Sequence, residues 1–193
     1  MKKVLCCSLI PVLLFLVIGC SSTTPPDQVV KSFLDAMVKG EFEKAAEFVV
    51  GEGEEKDIVK TPEDKEGERL AKAILAKVTY ELGEKKIDGD NATVAAKITA
   101  PDLLRITSKA ISELLPMAFA MAFSEDNSED QMDAMFQQYF ENAISDPNAP
   151  MAVSDVQVSL EKKDGAWLIT PDDALSSALT GNMEKAFAGL EDK

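Results

Sequence analysis

Two stretches of apolar/polar alternation, each turned back on a companion, constrain this chain more than any other feature. Val78, Tyr80 and Leu82 alternate with Thr79 and Glu81, and Val94, Ala96 and Ile98 alternate beyond Asp88-Gly89-Asp90-Asn91. A period of two puts every second side chain on one face, and an Asp-Gly pair reverses the strand. Val156, Val158 and Leu160 form a third such run. Lys162-Lys163-Asp164-Gly165 turns it into a fourth, Ala166-Trp167-Leu168-Ile169. Helical patterns lie before, between and after these hairpins. The expected class is α+β: N-terminal helices packed on an antiparallel sheet of about four strands, with a helical insertion, residues 101–150, between the two hairpins.

The helices are legible from caps and spacing. Thr24 is placed to cap a first helix, Pro25 and Pro26 suit its first turn, and Asp27 follows Thr24 by three. Val29, Val30, Phe33, Leu34, Met37 and Val38 then recur at helical spacing until Gly40. A second short helix is predicted to carry Phe42, Ala45, Ala46, Val49 and Val50 as far as Gly51. Residues 51–68 hold eight acids and three lysines. They read either as a cation-binding segment or as a solvated loop, and they lack the alternating Asp/Asn pattern of a calcium loop. A helix follows to about Ala76, with Leu70, Ile74 and Leu75 facing inward.

Inside the insertion, Leu103, Leu104, Ile106, Ala110, Ile111, Leu114 and Leu115 make one apolar stripe. Met132, Met135, Phe136, Tyr139, Phe140, Ala143 and Ile144 make another. Pro116 predicts a kink or break. Ser124 to Asp130 reads as a turn, with Ser128 capping the next helix. The apolar run Leu114–Phe123 is too short to span a bilayer. A helical tail starts at Thr170-Pro171-Asp172-Asp173 and is interrupted at Gly181, before Met183, Phe187 and Leu190.

The N-terminus reads as an export signal, outside the fold. Lys2 and Lys3 precede an almost wholly apolar Val4 to Ile18. Val17-Ile18-Gly19-Cys20 resembles a bacterial lipobox, in which the cysteine sulfur is diacylated and the chain is cut just before it. The expected organisation is a signal peptide over 1–19, a lipidated tether over 20–25 and one α+β domain over 26–193. The three cysteines agree with this, since cleavage removes Cys6 and Cys7 and leaves Cys20 for the lipid. The expected location is the cell envelope, lipid-anchored at Cys20. Ser21 after the cysteine resembles outer-membrane sorting in a host with two membranes; otherwise the chain would sit on the outer face of the cell membrane.

The N-terminal residues Pro26, Val29, Val30, Phe33, Leu34, Ala36, Met37, Gly40, Phe42 and Ala45 resemble the opening helices of small bacterial lipoproteins with a nuclear-transport-factor-two-like fold. Lys163-Asp164-Gly165-Ala166-Trp167-Leu168-Ile169 is similar to their late hairpin. The resemblance implies a cone, in which a curved antiparallel sheet wraps around helices and often leaves an apolar pocket. The insertion is a departure from that pattern. No catalytic motif of the family maps onto this sequence.

Composition narrows the function further. The chain has no His, and its 20 Lys+Arg against 34 Asp+Glu leave a net charge of −14. Imidazole-based acid/base work, Ser-His triads and His-ligated metals are excluded. Nucleic acid is disfavoured, because phosphate binding needs clustered positive charge. The expected partners are the membrane, through Cys20, and a small apolar ligand or an envelope protein. No cofactor, metal or catalytic residue is assigned. Met117, Phe119, Met121, Phe123, Met132 and Met135 are the candidate ligand-facing residues, since Met pairs three or four apart share a helix face and repack at low cost. The same spacing suits plain core packing or, less readily, Cu(I). The expected role is a non-enzymatic binding or interaction module. The alternatives are an envelope structural protein without a pocket and a His-free isomerase or hydrolase built on Tyr80 or Tyr139 with a carboxylate. Part of the Met117–Phe123 surplus is expected to cover the mouth of the cone as a mobile lid.

Overall fold

Four antiparallel strands stand side by side in chain order: β1 (Thr79–Asp88), β2 (Asn91–Pro101), β3 (Met151–Lys163) and β4 (Ala166–Thr170). The computed structural model describes residues 23–51, 58–62, 64–122 and 129–183. The expected signal peptide, Cys20, Phe123, Ser128, Phe187 and Leu190 lie outside the described residues. The α+β class holds, with helices before and after the hairpins and a helical insertion between them. The strands run longer than the alternation alone predicts. β3 begins at Met151 because β2 pairs with it all the way from Asn91↔Glu161 to Pro101↔Met151.

That pairing also explains how fifty inserted residues are tolerated. The insertion leaves at Pro101 and returns at Met151, which face each other. The Asp102 N–H donates to the Pro150 carbonyl at 2.8 Å. The excursion therefore closes on itself, and closing a loop costs only logarithmically more as it lengthens.

One face of the sheet is buried. Val94, Ile98, Val158, Leu160, Trp167 and Ile169 point into a core closed by α1 (Pro26–Val38) and α6 (Asp173–Leu179). α1 contributes Val30, Phe33 and Leu34, all fully buried, and α6 contributes Leu175, Ala178 and Leu179. Each such side chain is worth about 1.5–3 kcal/mol on burial. This packing fixes α1, because the cap expected at Thr24 is not made. The N-cap is Pro25, with no side-chain cap bond. Asp27 instead accepts from Lys85 Nζ of β1 at 2.6 Å.

Three further expectations are corrected. The second helix, α2 (Phe42–Ala46), stops before Val49. Val49 forms a parallel bridge to Ile169, and the backbones trade bonds: Ile169 N–H to the Phe48 carbonyl at 2.7 Å, Val50 N–H to the Ile169 carbonyl at 2.9 Å. The β-branched pair thus covers the outer edge of β4, an edge that no sequence pattern announced. Next, α3 (Lys65–Leu75) starts inside the acidic stretch, where Asp64 Oδ1 accepts from the Gly67 N–H at 2.6 Å. Finally, α4 (Leu103–Ala122) passes through Pro116 unbroken. Pro116 has no N–H to give the Ser112 carbonyl, but Ser112 is exposed, so water can take that acceptor and the usual penalty is softened.

The insertion is a helical hairpin of α4 and α5 (Glu129–Ser145). Its base is anchored on α3. Leu103, Ile106 and Ile144 are buried with Ile74 of α3, and half-buried Leu70, Phe140, Ala143 and Met183 pack around them. Arg69 of α3 pairs with Glu141, and Gln137 donates to Glu66 at 2.6 Å. Further out, α4 loses cover: Ile111 is 39% exposed, Leu115 50%, Met117 49% and Phe119 60%. Among the described residues, no helix is long and apolar enough to cross a membrane.

Candidate binding cleft

Between α3 and α6 lies an apolar cleft of about 460 Å³. Its size falls in the range of small-molecule sites. The floor is made of buried core residues that still show one side to the cavity: Met37, Phe42, Ile74, Leu75, Leu103 and Leu179. Leu70 and Ala71 of α3 form one wall. Ser176 of α6 and Thr180 at its C-cap form the other, with Met183 beyond. Residues Ile58, Lys60 and Pro62 form the rim.

Local sequence explains why these walls hold their shape. α6 is capped by Asp172, whose Oδ1 accepts from the Leu175 N–H at 2.8 Å. At its other end Thr180 Oγ1 donates to the Ser176 carbonyl at 2.9 Å. The Thr180 hydroxyl keeps its oxygen as an acceptor while its proton is used. α3 is held by its Asp64 cap and by Lys72–Glu68, an i,i+4 pair at 2.5 Å. The floor side chains are fixed by the core behind them.

The acids of the 51–68 stretch that are described do structural work. Asp64 caps, Glu66 accepts from Gln137, and Glu68 pairs with Lys72. Among the described residues, no group of three or more Cys, Asp or Glu side chains is placed to hold a metal ion.

The two tyrosines stand elsewhere. Tyr80 donates to Asp35 Oδ1 at 2.5 Å, and Lys31 Nζ lies 2.6 Å from Asp35 Oδ2. The hydrogen bond from Lys31, then that from Tyr80, hold the Asp35 carboxyl below its ordinary range. Burial first, then Asp35, pushes the Tyr80 phenol up. Burial and Glu113 do the same to Tyr139. At neutral pH this gives an ionised acid beside a protonated phenol, the reverse of a carboxyl primed to donate a proton. The cluster cross-links α1 to β1, and neither tyrosine lines the cleft.

The candidate ligand-facing residues are also apart from the cleft. Met117 and Phe119 are exposed on the outer part of α4, Met121 is half-buried, and Met132 and Met135 are half-buried on α5. Phe123 lies outside the described residues. None of the five described lines the cleft, which among the described residues receives only Leu103 from the insertion. The residues that do line it, such as Leu70, Ile74, Leu75 and Leu179, look like core positions in sequence. A cleft wall and a core face demand the same apolar residues at the same spacing, so no pattern separates them. The chain matches no family model, no curated protein and no solved structure.

Proposed function

We propose that this chain is a bacterial envelope lipoprotein, anchored through Cys20, whose α+β domain takes an apolar or amphiphilic ligand between α3 and α6. In this reading it is a nuclear-transport-factor-two-like lipoprotein, its helices held inside one antiparallel sheet, and it binds without catalysis. The observation that carries the binding role is the apolar cleft with its few hydroxyls and one cation. Its host membrane is the outer membrane where two exist, and otherwise the cell membrane.

Filling the cleft tests the binding role. Ala71→Phe places a ring in the wall of the cavity. Nile red, a neutral apolar probe, should bind wild type and lose at least about tenfold in affinity in the variant, with far-UV circular dichroism unchanged. A single filled pocket commonly moves affinity by that much. Equal affinity in the two proteins would sink this role.

The anchor has its own test. Each buried CH₂ contributes about 0.8 kcal/mol, and stable anchoring needs two chains. Wild type should fractionate with membranes and incorporate radiolabelled fatty acid. Cys20→Ser should do neither and should keep its leader. Identical processing without label in both proteins ends the lipoprotein reading.

A second reading has its own observation. Leu115 and Met117 stand about half exposed, and Phe119 more so, on the outer part of α4. An exposed apolar surface of this kind suits an envelope protein partner. In that case the hairpin would be the contact, and the cleft only a packing defect.

A further inference from the structure

We infer that the cleft selects single-chain amphiphiles with an anionic headgroup, and that Lys60 is the residue that reads the head. The inference rests on the binding role proposed for this cleft. Among the described residues that line it, Lys60 is the only ionisable one, and no carboxylate is among them. That is unusual in a chain with 34 acids and 20 bases. Lys60 is exposed at the rim, while the floor below it is buried and apolar. None of the ion pairs found among the described residues uses it. Its aliphatic stem can lie on the apolar wall with the ammonium in water, which is how lysine behaves at such borders.

The geometry fits an amphiphile better than a plain hydrocarbon. A hydrocarbon would fill the floor and leave Lys60, Ser176 and Thr180 without use. A cationic head would meet a like charge at the rim. An anionic head can take the ammonium, while its chain runs down to Leu103 and Leu179. The acidic character of the whole chain does not cancel this. Exposed charges are screened over about 8 Å at physiological salt, so a head in contact with Lys60 responds to Lys60 first. Carboxylate and phosphate heads share this chemistry, and the experiment separates them.

The test is displacement of Nile red from the full chain at about pH 8, where a carboxylate is fully ionised. The competitors are dodecanoate, dodecyl phosphate, dodecanol and dodecyltrimethylammonium, each kept below micelle formation. In wild type the two anions should displace about fivefold more tightly than dodecanol, the upper end for an exposed ion pair, and the ammonium should be weakest. Whichever anion ranks first identifies the head. Lys60→Met should bring the anions down to the level of dodecanol, all competitors being scored against Nile red affinity in that same variant. Lys60→Arg should restore the anion preference, and Lys60→Glu should move the ammonium ahead. Dodecanol equal to the anions in wild type, or an anion preference that survives in Lys60→Met, overturns the assignment of Lys60 while leaving the cleft as a binding site. Absence of Nile red binding in wild type overturns the cleft itself, and the inference with it.

Discussion

Trp167→Ala should cost about 3–5 kcal/mol of folding free energy, the cost of a large core truncation. Trp167 is only 7% exposed and points from β4 into the main core. It sits opposite Lys162 in the register, and Lys162 Nζ lies 5.7 Å from the ring centroid. That contact adds about 0.5–1 kcal/mol at most, so loss of the packed ring dominates. A domain with total stability of roughly 5–15 kcal/mol would lose a large share of it. Urea denaturation followed by circular dichroism should show a lower midpoint with an unchanged slope. As the chain has one Trp, its emission reports this site alone. Red-shifted, readily quenched emission from the folded protein, or a loss well under 1 kcal/mol in Trp167→Ala, would contradict the burial.

Gly181→Ala should be more damaging than the same change at Gly40, Gly67, Gly83, Gly89 or Gly165. Gly181 has φ +55, and a Cβ there would stand 1.7 Å from the Pro101 carbonyl oxygen and 3.1 Å from the Leu103 nitrogen. Left-handed backbone alone costs an L-residue about 1–2 kcal/mol. The collision adds to this, because the obstacle is backbone and cannot swing aside. Gly89 is the control: φ is +59 and nothing lies within 4 Å of its Cβ position, so Gly89→Ala carries only the backbone term. Gly181→Ala should therefore lower stability clearly more than Gly89→Ala. It should also weaken Nile red binding, since Gly181 follows Thr180 and presses on the strand end that leads into Leu103, two residues of the cleft. Equal midpoints for the two variants would refute the close approach.

Local chemistry determined much of this protein before any tertiary contact is considered. The turns at Asp88–Asn91 and Lys162–Gly165 lie next to the alternating runs they join. Strand position, facing and hairpin pairing all follow from neighbours a few residues apart. The inward faces of α1 and of the C-terminal helix follow in the same way from their spacing, and Trp167 is buried because its strand register makes it so. What needed the tertiary structure is where distant segments meet. Val49 belongs to the edge of β4 because Ile169, far along the chain, offers free backbone groups. Pro116 leaves α4 intact because that part of the helix faces water, a fact about surroundings and not about proline. The cleft arises where α3, α6, the start of α4 and the Ile58–Pro62 segment come together without filling the space. Periodicity states that a side chain must leave water. It carries no information on whether the volume it enters will be completely occupied, since that depends on the sum of side-chain shapes contributed by elements over a hundred residues apart.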